Sequence, residues 1–258
     1  AGLRVQAARV RRQLESQRAA LRWQRSTPDG EDLDLDAWVR HRGEAAAASR
    51  GEAAVYQRRV RGRRDLATLL LADLSLSTDA YATQEQRIIE VIRDALFVFG
   101  EALHASGDAW AMTGFSSVRR QLRLHELKRF DECWSPACWS RLGALEPGYY
   151  TRMGAALRAG TRALAARPER QKLLLLLTDG KPHDLDHYEG RAGVEDTRQA
   201  VREARRAGLI PFAVSIDAEA GEVLPAIFGS TGGQRGQGGW AWVRRPQELA
   251  PRLSTLYA

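Results

Sequence analysis

Asp73, Ser75 and Ser77 stand at alternate positions of the 258-residue chain, and two more oxygen donors, Thr151 and Asp179, follow at a distance. Two carboxylates and three hydroxyls are hard ligands, and the set needs neither thiolate nor imidazole. That chemistry suits Mg²⁺, with Mn²⁺ or Ca²⁺ as alternatives, and disfavours zinc and copper. If the hydroxyls bind directly and the carboxylates partly through water, an octahedral ion keeps at least one position for an oxygen from outside. Few formal negative charges would touch such an ion. It would stay electrophilic toward an Asp or Glu brought by a partner.

Three segments must converge for this to work. Leu66–Ala72 is a short continuous apolar run of the kind buried on both faces of a parallel sheet, and Asp73 follows it directly. Leu173–Leu177 is a second such run and ends in Thr178-Asp179-Gly180. Gly148–Gly154 offers the Thr151 hydroxyl at the start of a helical segment. Ligands of open α/β folds sit beyond the carboxyl ends of the strands, where both runs would deliver their carboxylates.

From Asp65 onward the pattern alternates, which predicts an α/β fold: a doubly wound, mainly parallel sheet flanked by helices. Strands are expected at 66–72, 108–115, 119–127, 172–177, 210–216 and 240–243. Ser116-Ser117 would separate the second from the third, and one edge strand would be antiparallel. Helices are expected at 84–105, 151–166, 195–207, 223–228 and 247–256. Residues 1–64 read as a basic, helical N-terminal flank to the domain at 65–258. Leu3, Val10, Leu14 and Leu21 mark an amphipathic helix over 3–25, and Ser26–Gly30 a turn. Asp36 to about Ala48 forms a helix anchored on Trp38, and 55–60 a short edge strand.

Asp-x-Ser-x-Ser after a strand, a distant Thr, and a later Asp-Gly after an apolar strand resemble the metal-ion-dependent adhesion site of von Willebrand factor A domains. All five positions are matched, by Asp73, Ser75, Ser77, Thr151 and Asp179. Thr178–Thr197 and the upstream Gly30–Asp36 are similar to one bacterial branch of that superfamily. The branch holds the nitric-oxide-reductase activation protein D and the O subunit of the Rubisco activase. The resemblance covers roughly residues 28–258 and does not separate the two members. It implies a non-catalytic, Mg²⁺-dependent adaptor that links a hexameric AAA+ ATPase of the MoxR type to a target enzyme presenting an acidic residue. Cys133 and Cys138 are a local departure from that branch.

Bulk properties narrow the choices. Hydrophobic content of 44% with 28% charged residues reads as globular. No run of about 18 apolar residues supports a membrane span, and no secretory pattern opens the chain. Two cysteines make no disulfide framework, so reduced thiols and a cytoplasmic location are expected. The chain opens Ala-Gly-Leu and has methionine only at 112 and 153, which reads as a fragment or a trimmed chain. The net charge of +7 arises in residues 1–64, where 15 Arg exceed 8 acids by seven; beyond them 24 bases balance 24 acids. Arg58–Arg64 is the densest cluster. It lacks interleaved aromatics and a reader motif, so a solvated or protein-docking face is expected rather than nucleic acid.

Other constellations compete. His183, Asp184, Asp186 and His187 tempt as a second metal cluster, but Pro182, Gly190 and Gly193 point to a loop that rims the first site. Lys181 reads as a solvated lysine, with attraction of an incoming carboxylate as its other reading. The glycine-rich 229–239 lacks the Gly-Lys-Ser/Thr ending of a phosphate loop and reads as a linker, leaving ATPase activity to a partner chain. An Mg²⁺-dependent hydrolase or phosphatase using Asp73 is the enzyme alternative, but Ser75 stands where such enzymes place a second acid. A surface adhesion module is the third reading.

Overall fold

The computed structural model describes residues 5, 8, 21–44, 53–61, 65–81, 87–179, 182–184, 188–215, 223–229, 238–243 and 248. The chain divides into two compact units, Arg18–Arg64 and a larger one of Ala1–Gln17 with Asp65–Ala258.

The smaller unit is built on strands as well as a helix. β1 (Leu21–Thr27), β2 (Asp32–Leu33) and β3 (Tyr56–Arg61) form an antiparallel sheet in the order β1-β3-β2, and α1 spans Leu35–Glu44. Buried Asp34 ties the unit together: one carboxylate oxygen accepts the Ala37 N–H at the start of α1, the other the Ser26 N–H. The helix expected over 3–25 therefore needs correcting. Val5 and Ala8 are helical, but Leu21–Arg25 are strand, with Leu21–Gln24 paired to Arg58–Arg61. Their apolar spacing fits a helix, yet cross-strand pairing decides. The 55–60 strand is likewise central to this sheet, not an edge feeding the next domain. Arg58 faces Gln24 and Asp29 here, and Gly62–Arg64 lie outside the described residues.

The larger unit carries a six-stranded sheet in the order β6-β5-β4-β7-β8-β9. Its strands are β4 (Leu66–Asp73), β5 (Ala109–Val118), β6 (Gln121–Lys128), β7 (Gln171–Thr178), β8 (Ile210–Ser215) and β9 (Gly239–Trp242). All neighbours run parallel except β6, which pairs antiparallel with β5 as the expected edge member. The helices are α2 (Ile88–Ser106), α3 (Pro136–Gly143), α4 (Met153–Ala165), α5 (Gly190–Arg206) and α6 (Leu224–Phe228).

The leucine runs explain this layering. β4 is buried along its whole length, and alternate residues enter opposite cores. Leu70 and Ala72 pack with Ile92, Leu96 and Phe99 of α2. Leu69 and Leu71 pack with Leu157 and Leu164 of α4 and Val201 of α5. Each such leucine is worth about 1.5–3 kcal/mol in burial. α2 begins later than expected, at Ile88, with the Arg87 N–H donating to the Glu90 side chain. It stops at Gly107, whose φ of 75° suits glycine.

Two connections differ from expectation. Ser116 and Ser117 lie inside β5, and the chain turns instead at Arg119-Arg120. α3 was not foreseen; Pro136 opens it and Cys138 and Leu142 anchor it in the core. The helix expected over 247–256 falls on residues outside those described, apart from helical Glu248.

Candidate metal centre

β4 and β7 pair without a slip from Leu66↔Gln171 to Ala72↔Leu177, so their tips arrive side by side. Asp73 ends β4 and is fully buried. Its Oδ1 accepts the Ser75 N–H at 3.0 Å and the Thr151 hydroxyl at 3.0 Å; its Oδ2 accepts the Thr178 hydroxyl at 2.9 Å. Burial is the main influence on this carboxyl and pushes its pKa up, while bonds from Ser75, Thr178 and Thr151 oppose the rise.

Ser75 and Ser77 follow as β4 gives way to a short 3-10 turn at Leu76–Asp79. Their hydroxyls lie 2.9 Å apart, and Thr78 donates to the Ser75 carbonyl at 2.6 Å to fix the turn. Thr151 reaches the same place from the segment ahead of α4. Its backbone pairs with His183 in both directions, and the neighbouring Tyr150 pairs with Ser117 of β5. Asp179 follows β7 directly and is 8% exposed. A pocket of about 400 Å³ opens here, lined by Ser75, Leu76, Ser77, Tyr149, Tyr150, Thr151, Asp179 and His183.

All five residues singled out in the sequence thus meet at one strand edge. Four of them line the pocket, while Asp73 lies behind, bonded to the hydroxyl of Thr151 and the N–H of Ser75. The donor set fits a hard divalent cation: three hydroxyl oxygens and one carboxylate face a shared space, with a second carboxylate bonded to that layer. A cation there would offset the penalty of burying the Asp73 charge.

The chain also shows residues that sequence reasoning passed over. Thr178 bonds Asp73 directly, and the aligned ends of the two leucine runs were the available signal. Tyr149, Tyr150 and Leu76 form the rim, and no motif flags them. Gly154 stands where a Cβ would collide with the Asp196 carboxylate and the Tyr188 hydroxyl. Tyr188 accepts the Gly154 N–H at 3.1 Å and donates to Asp196 at 2.5 Å; burial, then that bond, raises its pKa to about 12. This phenol stays a donor and pins the start of α4, hence Thr151, to α5.

The second metal cluster does not form from its described members. His183 faces the pocket, whereas Asp184 is buried and accepts from the Ser117 hydroxyl, the Arg119 N–H and Arg152. Lys181, Asp186 and His187 lie outside the described residues, as does most of the glycine-rich 229–239. Among the described residues no three His, Cys, Asp or Glu gather as metal ligands, and no helix is long and apolar enough to cross a membrane.

The chain is similar to several known proteins. The model of the von Willebrand factor type A domain matches residues 140–235. The chain is 50% identical over 245 residues to Protein NorD of Stutzerimonas stutzeri, covering 95% of this chain and 39% of that protein. It is 46% identical over 250 residues to Protein NorD of Brucella suis, covering 96% and 38%. The chain therefore spans about two fifths of the length of the curated relatives it matches. Among solved structures, the von Willebrand factor domain of the pili tip protein Mfa5 from Porphyromonas gingivalis superposes with a TM-score of 0.54 at 10% identity, over 74% of this chain and 93% of that one. At such identity the likeness speaks for the fold.

Proposed function

Since this chain matches the von Willebrand factor type A domain model over residues 140–235 and is similar to NorD proteins along nearly its whole length, we propose that it is a non-catalytic, Mg²⁺-dependent docking domain. Asp73, Ser75, Ser77, Thr151 and Asp179 hold the ion, and an acidic side chain from a partner completes its shell. One observation carries the reading: the paired Ser75 and Ser77 hydroxyls, Thr151 and Asp179 share one pocket with the Asp73 carboxylate behind them. When bound, the ion supplies electrostatic attraction for an incoming carboxylate. The chain's own residues place it and orient it. Thr151 and Thr178 fix the Asp73 carboxylate, and the Ser75 N–H keeps its Oδ1 turned toward the turn.

In the cell, the resemblance of the sequence motifs extends the reading. The domain brings a MoxR-type AAA+ hexamer to a target enzyme, nitric oxide reductase for a NorD-like protein, or Rubisco for the sister branch. The similarity to proteins named NorD favours the first. The test is co-purification of the full-length protein from cells in Mg²⁺ and in chelator, with wild type and Asp73→Ala side by side. The ATPase and its target should be recovered only with wild type in Mg²⁺. Equal recovery with Asp73→Ala would refute the metal-mediated contact, and Mg²⁺-dependent phosphate release by the purified chain would favour a hydrolase.

A further inference from the structure

Beside the metal pocket, the β5–β6 hairpin exposes Arg119, Arg120 and Arg123 within five residues that contain no acid. Residues 65–258 as a whole balance 24 bases with 24 acids, so this is a local excess. Arg123 lies over the ring of Tyr149 at 4.1 Å, and Tyr149 lines the pocket. The patch and the pocket are therefore continuous. Tyr149 and Leu76 are 44% and 55% exposed and add apolar surface to the same rim.

The backbone holds this surface at a penalty. Among the described residues, three non-glycine positions adopt positive φ, and two of them are Arg119 (54°) and Tyr149 (67°). Tight hairpin turns place Asn, Asp or Gly at such positions, because a Cβ is strained there. Arg119 is kept there by outside bonds: its N–H goes to buried Asp184 at 2.7 Å, and its carbonyl accepts Arg152 Nε at 2.6 Å. Tyr149 is held by its carbonyl, which accepts the Leu76 N–H at 2.8 Å. Strain maintained by surrounding structure gathers at binding sites.

We propose that Arg119, Arg120 and Arg123 form a second part of the docking surface, and that the partner segment is acidic, with at least one carboxylate besides the one reaching the metal pocket. The inference rests on the metal-centre reading for the first carboxylate only. Guanidinium groups on a rim steer and orient carboxylates. A protein segment fits better than a nucleic acid, since apolar Leu76 lies exposed on the same rim and one face of Tyr149 is already taken by Arg123.

The test measures binding of two fluorescent peptides to the full chain, hexaglutamate and a peptide with one Glu among glycines, each in Mg²⁺ and in chelator. Arg120→Glu with Arg123→Glu should weaken hexaglutamate about tenfold or more and flatten its salt dependence. The single-Glu peptide and the thermal shift given by Mg²⁺ alone should not change. Arg120→Gln with Arg123→Gln should give a smaller loss in the same direction, which guards against misfolding of the charge-reversed variant. Unchanged hexaglutamate binding in both double variants would overturn the arginine surface and leave the metal reading standing. Mg²⁺-independent capture of the single-Glu peptide would overturn the metal reading, with the arginines still judged by their own variants. Displacement of hexaglutamate by an oligothymidylate at equal concentration would overturn the choice of an acidic protein segment.

Discussion

Asp73 at the tip of β4 and Lys128 at the end of β6 are each shut away from water, yet their surroundings differ in kind. The Lys128 ammonium donates to the carbonyls of Trp110 at 2.8 Å and Arg129 at 3.0 Å, and lies 4.2 Å from the Trp110 ring centre. Its donors end on backbone and on an aromatic face. Beyond Trp110, the rings of Trp134, Trp139 and Phe97 meet at tilted and edge-on angles in a corner closed by a bond from Trp134 Nε1 to Glu101. Asp73 instead takes bonds from hydroxyls, groups that also accept, and the layer they form opens into a pocket. Burial alone therefore does not mark a functional charge. What matters is whether its partners can turn to an outside ligand.

Mutants can break or sharpen this contrast. The largest effect is expected at Asp73. Wild type should gain about 2.7 kcal/mol of stability from Mg²⁺ at a hundredfold excess over Kd, and Asp73→Ala should gain none, as read by urea midpoints with and without chelator. A preserved gain would separate the pocket from metal binding. Lys128→Ala should lose about 2 kcal/mol, because two buried carbonyls lose a donor. Lys128→Met, close in shape but also without a donor, strips the same two carbonyls and should lose less than Lys128→Ala only by the packing it keeps. Both variants should keep the Mg²⁺ gain, and losing it would place Lys128 in the site after all.

A pH series sharpens the same point. Burial, the leading influence, lowers the Lys128 pKa from its ordinary value. Between the folded and unfolded values the unfolded chain binds more protons, so this group's contribution rises with pH across that interval. The penalty is fully present below that interval. The urea midpoint of wild type relative to Lys128→Met should therefore rise from neutral pH toward pH values near the ordinary lysine pKa; a flat difference would contradict a buried ammonium. The smallest effect is expected at the hairpin. Arg119→Gly should gain about 1 kcal/mol or less by relieving the left-handed backbone, while weakening hexaglutamate capture.

Much of this was legible in the chain because the leucine runs admit few interpretations. Seven residues ahead of Asp73, apolar but for Thr68, and five leucines ahead of Thr178 specify buried parallel strands and so a common edge for their carboxylates. One antiparallel edge strand was expected beside the strands around Ser116-Ser117, and β6 is that strand. What could not be read depends on partners remote in sequence. Leu21–Gln24 have helix-compatible spacing, but pairing with Arg58–Arg61 makes them strand. Asp184 was expected only in a loop that rims the first site, yet it supports the turn at Arg119, 65 residues away. Lys128 reads as an ordinary polar residue at a strand end; only the fold puts Trp110 over its head group. Nothing about an arginine or a tyrosine announces a positive φ.

The unslipped pairing of β4 with β7 acts as a pair of matched rulers. Removing one residue from either strand would turn its outer end to the opposite side and carry Asp73 or Thr178 out of reach. Length changes during the divergence of such proteins should therefore accumulate in connections that do not measure this distance, and the count from the first leucine to the aspartate should be held fixed.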